Sequence, residues 1–488
     1  MQASVVGKMC RLLVAISVAS LPDRAAAVPS SQGVGEPSDN PAEQDLLPFG
    51  KRVRDAYFQF GPGFLNFNHG GFGATPKPVR RAMEAFIDRA EAQPTAWFGK
   101  LGYRSILDEI RPVLARFIGA RAEDLVFLDN ASGGLNAVLR SVAWRKGDIL
   151  LLTAAAYAVM PNTAAWLKQR YGVRTLRVEI AYPVIGPETY LDPVRRALTQ
   201  LTPEERAQVR LAVFDHVSSY PPAVLPVTEL ARCVKAETAG RALVLLDGAH
   251  ALGQLRIDLR EFQRAGVDYY VADGHKWLMS PRGSALLWAA PEVQDSLQPD
   301  VISSENAPGT PFQERFDYIG TRDYTPWCSM GAAVKFRATD LGGEARVLEY
   351  IHDLATWAGQ MLAARFQTEV LAPPAMTPAM TTVRLPVPLA WPIERQRACA
   401  GTISAELAAN YRMQLITFAL RSHVRGRGGI GAATGGTRAA TETHWARISA
   451  QVYLERADFL ALGERILQTV SGCHGFGRSD GPGAHTFV

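Results

Sequence analysis

The feature that most constrains this chain is an alternation of short apolar runs with longer amphipathic stretches. The runs are rich in Val, Leu, Ile and Ala, which is typical of strands that are buried on both faces of a sheet. The predicted strands are Asp124–Leu128, Ile149–Thr153, Leu176–Ile180, Leu211–Phe214, Ala242–Leu246, Tyr269–Ala272 and Ser284–Trp288. Stretches of helix length, such as Pro78–Ala92 and Thr228–Ala239, separate most of them. This order predicts an α/β fold in which a mostly parallel sheet carries helices on both faces.

The pattern changes along the chain and predicts several segments. Residues 28–45 are rich in Pro, Ser, Gly and Asn and form a predicted linker. Residues 46–341 form a predicted large domain, whose N-terminal part contributes to the small domain. Residues 342–471 form a smaller C-terminal α+β domain that contains a loop rich in Gly, Ala and Thr. Residues 472–488 form a loose tail.

The first 27 residues resemble a targeting segment. Lys8 and Arg11 precede the apolar stretch Leu12–Leu21, and small residues follow at Ala25–Ala27, which is the order of a secretory signal. The alternatives are an organelle transit peptide, or a disordered extension of a cytoplasmic protein. The sequence therefore leaves the compartment open.

Charge and hydropathy exclude several classes of protein. The 488 residues include 52 Lys+Arg and 47 Asp+Glu, which gives a formal net charge of +5. Because the basic residues are interspersed with acids rather than clustered, a nucleic-acid partner is not expected. No apolar stretch approaches the ~20 residues that cross a bilayer, so a membrane span is not expected either.

The five cysteines contain no CxxC pair, which argues against a disulfide framework and against a zinc ribbon. Cys399 falls within a predicted helix and Cys328 follows Trp327, so both are predicted to be structural thiols. A desulfurase that forms a persulfide needs a thiolate on a mobile loop. That reaction is therefore disfavoured.

Reactive side chains follow the predicted strands at the point where each strand ends. Asp247 and His250 follow one run, and Asp273, His275 and Lys276 follow the next run along the chain. Ligands of an open α/β sheet bind at the carboxyl ends of its strands, and a single crossover connects these two strands. The two groups are therefore expected to face one cavity.

This combination favours a lysine that forms a Schiff base. A buried Lys276 beside a histidine is a candidate amine, because an apolar pocket or a nearby cation frees its lone pair. If the carbonyl belongs to pyridoxal phosphate, an acid must keep the pyridine nitrogen protonated, and Asp247 is the natural choice. Ser132 lies where a strand meets a helix, so backbone N–H groups and its hydroxyl could bind a phosphate. Ser132 as an ordinary helix cap is the alternative.

Six short motifs occur in an order that resembles the class V aminotransferase-like family of fold-type I pyridoxal-phosphate enzymes. The motifs are Asn68–Gly73, Asn130–Ser132, Asp247–His250, Asp273–Lys276, Gly320–Asp323 and Ala446–Ser449. The resemblance extends from about residue 50 to about residue 455. Phe312–Arg315 followed by Gly320–Asp323 resembles in particular the isopenicillin N epimerase-like branch, which also contains C–S lyases.

The resemblance implies a catalytic group of three residues and a cofactor site that surrounds them. Lys276 would bind pyridoxal 5'-phosphate covalently and move protons at the substrate Cα, Asp247 would pair with the pyridinium, and His250 would lie on the oxygen side of the ring. Further cofactor contacts would come from the Ala131 and Ser132 amides, the Ser132 hydroxyl and His275 at the phosphate, Tyr157 stacked on the ring, and Ser218 at the ring edge.

The resemblance also implies a substrate clamp and a second subunit. Arg447 would bind the carboxylate of an amino-acid-like substrate through two parallel hydrogen bonds. Thr321 would reach the phosphate from the other subunit of a homodimer with shared active sites. Asn68 and His69 would lie on the substrate side, or alternatively would cap the turn that the neighbouring glycines form. Tyr157 as an ordinary packed aromatic is likewise an alternative.

The predicted function is chemistry at Cα or Cβ of an amino acid or amino-acid derivative, with a C–S lyase or an epimerase favoured. A class V aminotransferase is an alternative, because transamination begins from the same Cα carbanion. A different class of alternative is a metal-dependent hydrolase that uses Asp247, His250, Asp273 and His275 as ligands. That alternative leaves Lys276 without a role, so no metal site is predicted.

Overall fold

The computed structural model describes residues 46–422 and 441–473. Within them, a seven-stranded sheet has the order β2-β8-β7-β6-β5-β3-β4. The strands, numbered along the chain, are β1 (Leu65–Asn66), β2 (Leu125–Leu128), β3 (Ile149–Thr153), β4 (Arg174–Val178), β5 (Val209–Asp215), β6 (Leu243–Asp247), β7 (Tyr269–Asp273), β8 (Ala285–Ala289), β9 (Met380–Arg384), β10 (Met413–Gln414), β11 (Ile416–Ser422) and β12 (Thr441–Ser449).

The large sheet is parallel except at β8, which runs antiparallel to both β2 and β7. The prediction of a mostly parallel sheet is therefore confirmed. Strands β2, β3, β7 and β8 are buried along their whole length, because helices cover both faces. The edge strand β4 begins two residues before its predicted position, at Arg174. Its exposed arginines are typical of an edge that must not pair with other chains.

Helices of the expected length connect these strands. The α-helices, numbered along the chain, are α1 (Lys51–Tyr57), α2 (His69–Phe72), α3 (Lys77–Ala92), α4 (Pro94–Phe98), α5 (Tyr103–Phe117), α6 (Ala131–Ser141), α7 (Val159–Tyr171), α8 (Glu188–Thr199), α9 (Pro203–Ala207), α10 (Val227–Glu237), α11 (Leu259–Ala265), α12 (Phe312–Asp317), α13 (Thr325–Cys328), α14 (Met330–Thr339), α15 (Glu344–Phe366), α16 (Ile393–Tyr411) and α17 (Arg456–Gly472). Asn130 caps α6, because its side chain accepts a hydrogen bond from the Gly133 amide at 2.9 Å.

A smaller antiparallel sheet follows in the chain, with the order β11-β12-β9. Helix α15 packs on β9, and α16 packs on β11. The N-terminal part of the described chain joins this region, since β1 pairs in parallel with β10 and the side chain of Arg54 forms an ion pair with Asp458. The domain boundary predicted at residue 341/342 falls between the last strand of the large sheet and the first strand of the small one.

The prediction for the cysteines is wrong at one position. Cys399 on α16 forms a disulfide with Cys473, which directly follows α17. The two residues are 74 positions apart in the sequence, so their proximity arises only when the two helices pack together. Cys328 is a buried free thiol, in agreement with its predicted structural role.

Several predicted segments lie outside the described residues. They are the targeting segment 1–27, the linker 28–45, almost all of the Gly/Ala/Thr-rich loop at Gly426–Thr441, and the tail beyond Cys473. Among residues 46–422 and 441–473, no helix has the length and hydropathy that a membrane crossing requires.

Candidate active site

The carboxyl ends of three adjacent parallel strands meet at one cavity. Asp215, Asp247 and Asp273 are the last residues of β5, β6 and β7, and all three are buried. The cavity is lined by Ala131, Ser132, Leu135, Tyr157, Asp215, Ser219, Asp247, Ala249, His250, Asp273 and Lys276. The expectation that the Asp247 group and the Lys276 group face the same cavity is therefore met.

Lys276 is held from both its side chain and its backbone. Its Nζ lies 2.8 Å from Oδ2 of Asp273, and its carbonyl oxygen lies 3.0 Å from Nε2 of His69. The chain from Asn68 to Gly73 packs directly on this segment. Gly73 has a φ of +65°, and a Cβ at this position would overlap the carbonyl of His275. Glycine is therefore required for the close approach.

The N-terminus of α6 forms another wall of the cavity. Because Asn130 caps the helix, the Ser132 hydroxyl is not needed for capping and remains at the cavity wall. The Ala131 amide donates to Oδ1 of Asp273 at 2.7 Å. The helix N-terminus carries the partial positive charge that favours a phosphate. Its first amide, however, already has a carboxylate partner in this structure.

Asp247 and Asp215 form a pair of buried acids. They are register partners on the adjacent strands β6 and β5. Burial raises the pKa of Asp247 to about 6, against the opposing effects of the Ala249 amide, which donates to Oδ1 of Asp247 at 2.9 Å, and of the Lys276 charge. Burial and, next, the charge of Asp247 raise the pKa of Asp215 well above its usual range. The charge of Asp247 therefore favours the protonated form of Asp215.

Of the two histidines predicted to contact the cofactor, only His250 lines the cavity. Burial, followed by the charge of Lys276, lowers the pKa of the His250 imidazole well below the usual value. The imidazole is therefore neutral near pH 7. The ring of His275 points towards the carbonyl of Ser284, with Nδ1 at 3.3 Å from that oxygen, and lies 3.9 Å from Oδ1 of Asp273.

Arg447 is a buried cation on β12, with 1% of its surface exposed. Its Nη2 donates to Oδ1 of Asn68 at 2.8 Å, and its Nη1 donates to the hydroxyl of Ser219 at 3.2 Å and to the Ser219 carbonyl at 3.3 Å. The ring of Tyr220 stacks against the guanidinium at 4.3 Å. Within the described parts of the chain, Arg447 has no ion pair with an acid, and its Nε has no hydrogen-bond partner. A buried guanidinium without a counter-charge is suited to an anionic ligand.

Two of three further predicted cofactor contacts do not line the cavity. The hydroxyl of Ser218 donates to the Pro221 carbonyl at 2.6 Å and closes a turn, so Ser219 rather than Ser218 faces the cavity. Tyr157 lines the cavity and is 45% exposed. Thr321 is exposed, contacts the Tyr318 hydroxyl at 3.2 Å and does not line the cavity of its own chain.

The two residues predicted on the substrate side contact other site residues instead. Asn68 orients Arg447. His69 is fully buried, and both of its ring nitrogens have protein partners, since Nδ1 lies 3.0 Å from the Tyr453 hydroxyl. Its position fits a role in holding the Lys276 backbone better than direct contact with a substrate.

Sequence reasoning assigned no role to Asp215, Ser219 or, within the favoured mechanism, Asp273. Asp215 directly follows the predicted strand Leu211–Phe214, so its position carried a signal. Its pairing with Asp247, however, requires the order of the strands in the sheet. Nothing in the sequence distinguishes Ser219 from its neighbour Ser218, because only the turn geometry decides which of the two serines faces the cavity.

The donor set fits pyridoxal phosphate better than a metal ion. Oδ2 of Asp215, Nδ1 of His250 and Nε of Arg447 are buried without a hydrogen-bond partner among the residues that the structure describes. A ring that carries a nitrogen and oxygen substituents would provide such partners. Within the described residues, no group of three or more His, Cys, Asp or Glu is placed to hold a metal ion, so the hydrolase alternative finds no support.

Comparisons with known proteins agree with this geometry. The Aminotransferase class-V profile matches residues 68–390, which include the motif at Asn68, the acid pair and Lys276. The L-cysteine desulfhydrase-like protein lolT1 of Epichloe uncinata is 28% identical, over 86% of this chain and 95% of its own length. The isopenicillin N epimerase of Amycolatopsis lactamdurans is 31% identical, over 67% of this chain and 82% of its own length.

A solved structure shares the fold. The apo structure of a cysteine desulfurase from Thermococcus onnurineus superimposes with a TM-score of 0.66 at 18% identity, over 87% of this chain and 99% of that one. The sheet order, the Lys276 cavity and these matches lead to one conclusion. The chain belongs to the class V aminotransferase family, and it is an enzyme of fold type I with pyridoxal 5'-phosphate as its cofactor.

Proposed function

We propose that this enzyme cleaves the C–S bond at Cβ of cysteine or a cysteine-derived amino acid. The observation that carries the proposal is the buried, acid-free guanidinium of Arg447 near a cavity that contains Lys276. That arrangement suits an amino acid, whose carboxylate pairs with Arg447 while its amine approaches the site of Lys276. The name of the desulfhydrase-like relative supports sulfur as the leaving group.

The residues around the cavity are assigned to the cofactor as follows. Lys276 would supply the amine that binds it, Asp247 would pair with the pyridine nitrogen, and His250 would interact with the ring oxygen. Ala131, Ser132 and His275 are assigned to the phosphate, and Tyr157 to the ring face. When bound, the cofactor supplies an electron sink for a carbanion at the substrate Cα.

The side chains divide the proton transfers. The amine of Lys276, when free, would take the proton from the substrate Cα. The pKa values of Asp247 and Asp215 are raised, so these two acids would keep a proton available for a pyridine nitrogen bound next to Asp247. His250 is neutral, so it accepts or donates a hydrogen bond without adding a charge to the cavity.

The cysteines of the described chain support elimination over persulfide transfer. Cys328 is buried, and burial raises the pKa of its thiol. Cys399 and Cys473 are bonded to each other, and Cys233 is on α10, away from the cavity lining. None of these four residues offers a mobile thiolate beside Lys276. The sulfur is therefore proposed to leave as free sulfide or as a free thiol.

An epimerase is the second candidate, because the isopenicillin N epimerase is 31% identical to this chain, compared with 28% for the desulfhydrase-like protein. Transamination is the third. We also propose a homodimer with shared active sites, because Thr321 is exposed in the single chain and therefore available to a partner subunit.

The first experiment compares the wild-type protein with Lys276→Ala. The visible band of bound pyridoxal phosphate is expected in the wild type, and it is expected to be absent from the variant and to disappear from the wild type after borohydride reduction. A variant that retains the band would overturn the assignment of Lys276.

The second experiment separates the three reactions. The wild type is incubated with L-cysteine, L-cystine and an S-alkyl cysteine sulfoxide. Pyruvate and ammonia formed in equal amounts, with release of a sulfur compound, support the lyase. Inversion of the recovered amino acid without pyruvate supports the epimerase, and turnover that requires a keto acid supports the aminotransferase. The dimer is tested by sedimentation of the holoenzyme.

A further inference from the structure

The carboxylate of Asp273 connects two groups that the proposed function assigns to the cofactor. Its Oδ1 accepts a hydrogen bond from the Ala131 amide at 2.7 Å, and its Oδ2 lies 2.8 Å from Nζ of Lys276. Asp273 is buried, with 3% of its surface exposed. This acid therefore lies between the N-terminus of α6 and the lysine, with both oxygens engaged.

Each of these contacts competes with cofactor binding. The first amide of a helix directs its N–H at an anion, and here that anion is the carboxylate rather than a phosphate. The amine of Lys276 is likewise engaged by the Asp273 carboxylate, a contact that would have to be given up for the amine to reach a carbonyl carbon. Asp273 thus occupies both groups that the cofactor would use.

The other acids of the cavity do not have this arrangement. Asp247 accepts a hydrogen bond from the amide of Ala249. Asp215 is the register partner of Asp247 and lies on β5, which is two strands away from the Asp273 strand β7. Among the described residues, the charged or titratable groups that face Asp273 are Lys276, His275, whose Nδ1 lies 3.9 Å from Oδ1, and Asp247, whose pKa the charge of Asp273 raises. A bound phosphate at the N-terminus of α6 would bring a second anion against Asp273. Two anions in direct contact repel each other strongly.

We propose that Asp273 is an internal anion that holds the Ala131 amide and the Lys276 amine in the cofactor-free protein and sets the affinity for the cofactor by competing with its phosphate. The inference rests on the proposed roles of Ala131 and Lys276. It makes Asp273 a residue that lowers cofactor affinity, so an uncharged side chain at this position binds the cofactor more tightly.

The test is Asp273→Asn, which preserves the shape of the side chain and removes its charge. The cofactor is removed from the wild type and the variant, and each apoprotein is titrated with pyridoxal phosphate and, separately, with pyridoxal, which lacks the phosphate. The variant is expected to bind pyridoxal phosphate at least about tenfold more tightly than the wild type, with a smaller gain for pyridoxal. Equal or weaker binding of pyridoxal phosphate by the variant would overturn the inference.

Asp300→Asn is the matched control for removal of a charge near α6. Asp300 lies next to Gly133 in the same first turn of α6, because a Cβ at Gly133 would be 3.2 Å from Oδ2 of Asp300. In the described structure, Asp300 contacts neither Ala131 nor Lys276. The affinity of the Asp300→Asn variant for pyridoxal phosphate is expected to change less than the affinity of the Asp273→Asn variant. An equal gain in both variants would mean that the effect is general electrostatics and would contradict the inference.

A second variant and a second probe cover the case in which Asp273→Asn does not fold. Asp273→Ser retains an acceptor for the Ala131 amide, and inorganic phosphate replaces the cofactor as the ligand. Phosphate is expected to raise the unfolding temperature of the Asp273→Ser apoprotein more than that of the wild type, and an equal rise in both would count against competition.

Lys276→Ala tests the proposed function independently. If that variant retains the visible band, the site assignment fails, whereas an unchanged Asp273→Asn affinity with a normal Lys276→Ala result refutes only the inference.

Discussion

The imidazole Nε2 of His69 lies 3.0 Å from the carbonyl oxygen of Lys276, although the two residues are 207 positions apart. A carbonyl oxygen only accepts, so Nε2 carries the hydrogen, and Nδ1 accepts from the Tyr453 hydroxyl at 3.0 Å. His69 therefore connects the N-terminal segment, the lysine and the residues after β12. It is a positioning residue, because it acts on the Lys276 backbone and lines no part of the cavity.

Replacement of His69 by Gln is expected to lower stability and to change its pH dependence. Burial lowers the pKa of His69 to about 3, so the folded protein does not take up the proton that the unfolded chain binds below about pH 6.5. The contribution of His69 to stability is therefore complete above pH 6.5 and is lost as the pH falls towards 3. Urea unfolding of the variant is expected to show a loss of ~2 kcal/mol at pH 7.5 and a shallower decline between pH 6.5 and pH 4.5.

His352→Gln is the control for His69→Gln. His352 also contacts a main-chain carbonyl, that of Gln254, at 2.7 Å, but it is half-buried and does not line the Lys276 cavity. Its replacement is expected to leave turnover unchanged, whereas His69→Gln lowers kcat. A His69→Gln variant with wild-type kcat would contradict the positioning role.

Removal of the Asp247 charge is expected to stabilise the cofactor-free protein at neutral pH. Because burial raises the pKa of Asp247 to about 6 from 3.8, the folded acid retains a proton that the unfolded chain releases, so stability falls as the pH rises from about 4 to about 6. The difference corresponds to about 3 kcal/mol. Asp247→Asn is expected to match the wild type near pH 4 and to exceed it at pH 7.5.

Urea unfolding of both apoproteins at pH 4, 5, 6 and 7.5 measures this effect. Burial and the charge of Asp247 also raise the pKa of Asp215, so Asp215→Asn serves as a second variant. It is expected to reduce the same decline, because the folded Asp215 also retains a proton that the unfolded chain releases. A decline in Asp247→Asn as steep as that of the wild type would show that the acid pair is not its source.

Conservative replacement of Arg447 by Lys is expected to weaken substrate binding strongly. Lysine retains the positive charge but loses the planar fork that binds a carboxylate through two hydrogen bonds. We expect kcat/KM for the amino-acid substrate to fall by roughly 100-fold or more, mainly through KM, while the visible cofactor band is unchanged. Asn68→Ala, which removes one acceptor of Arg447, is expected to have a smaller effect in the same direction. A wild-type KM in Arg447→Lys would exclude the carboxylate clamp.

Reduction of the Cys399–Cys473 disulfide is expected to destabilise the protein. The bond closes a loop with a sequence separation of 74, for which loss of loop entropy in the unfolded chain predicts about 4 kcal/mol. A Cys399→Ser/Cys473→Ser double variant is expected to unfold at lower urea concentration. Alkylation of the denatured protein with and without reductant, followed by mass measurement, is expected to show two additional alkyl groups after reduction. Cys233→Ser is the control and is expected to leave the unfolding midpoint nearly unchanged.

Much of the large sheet was predictable, because strands buried on both faces must be continuous apolar runs. Ile149–Thr153 and the helix Glu344–Phe366 have the predicted bounds, and each other strand of the large sheet begins and ends within two residues of its predicted bounds. β12 was not predicted as a strand. Its sequence around Trp445–Ser449 mixes polar and apolar residues, and its identity as a strand depends on pairing with β9 and β11.

The candidate site divides in the same way. The sequence by itself determined which residues carry the chemistry, since Asp247, Asp273 and Lys276 directly follow or end apolar runs, and the carboxyl ends of parallel strands form the ligand edge of such a sheet. Only the tertiary structure decided which groups contact each other: Asp215 with Asp247, Asp273 with both Ala131 and Lys276, Ser219 instead of Ser218, and Cys399 with Cys473. The reason is physical. Apolar periodicity encodes burial of each element locally, whereas the partner of a polar side chain depends on strand order, turn geometry and helix packing, which bring together residues that are far apart in the chain.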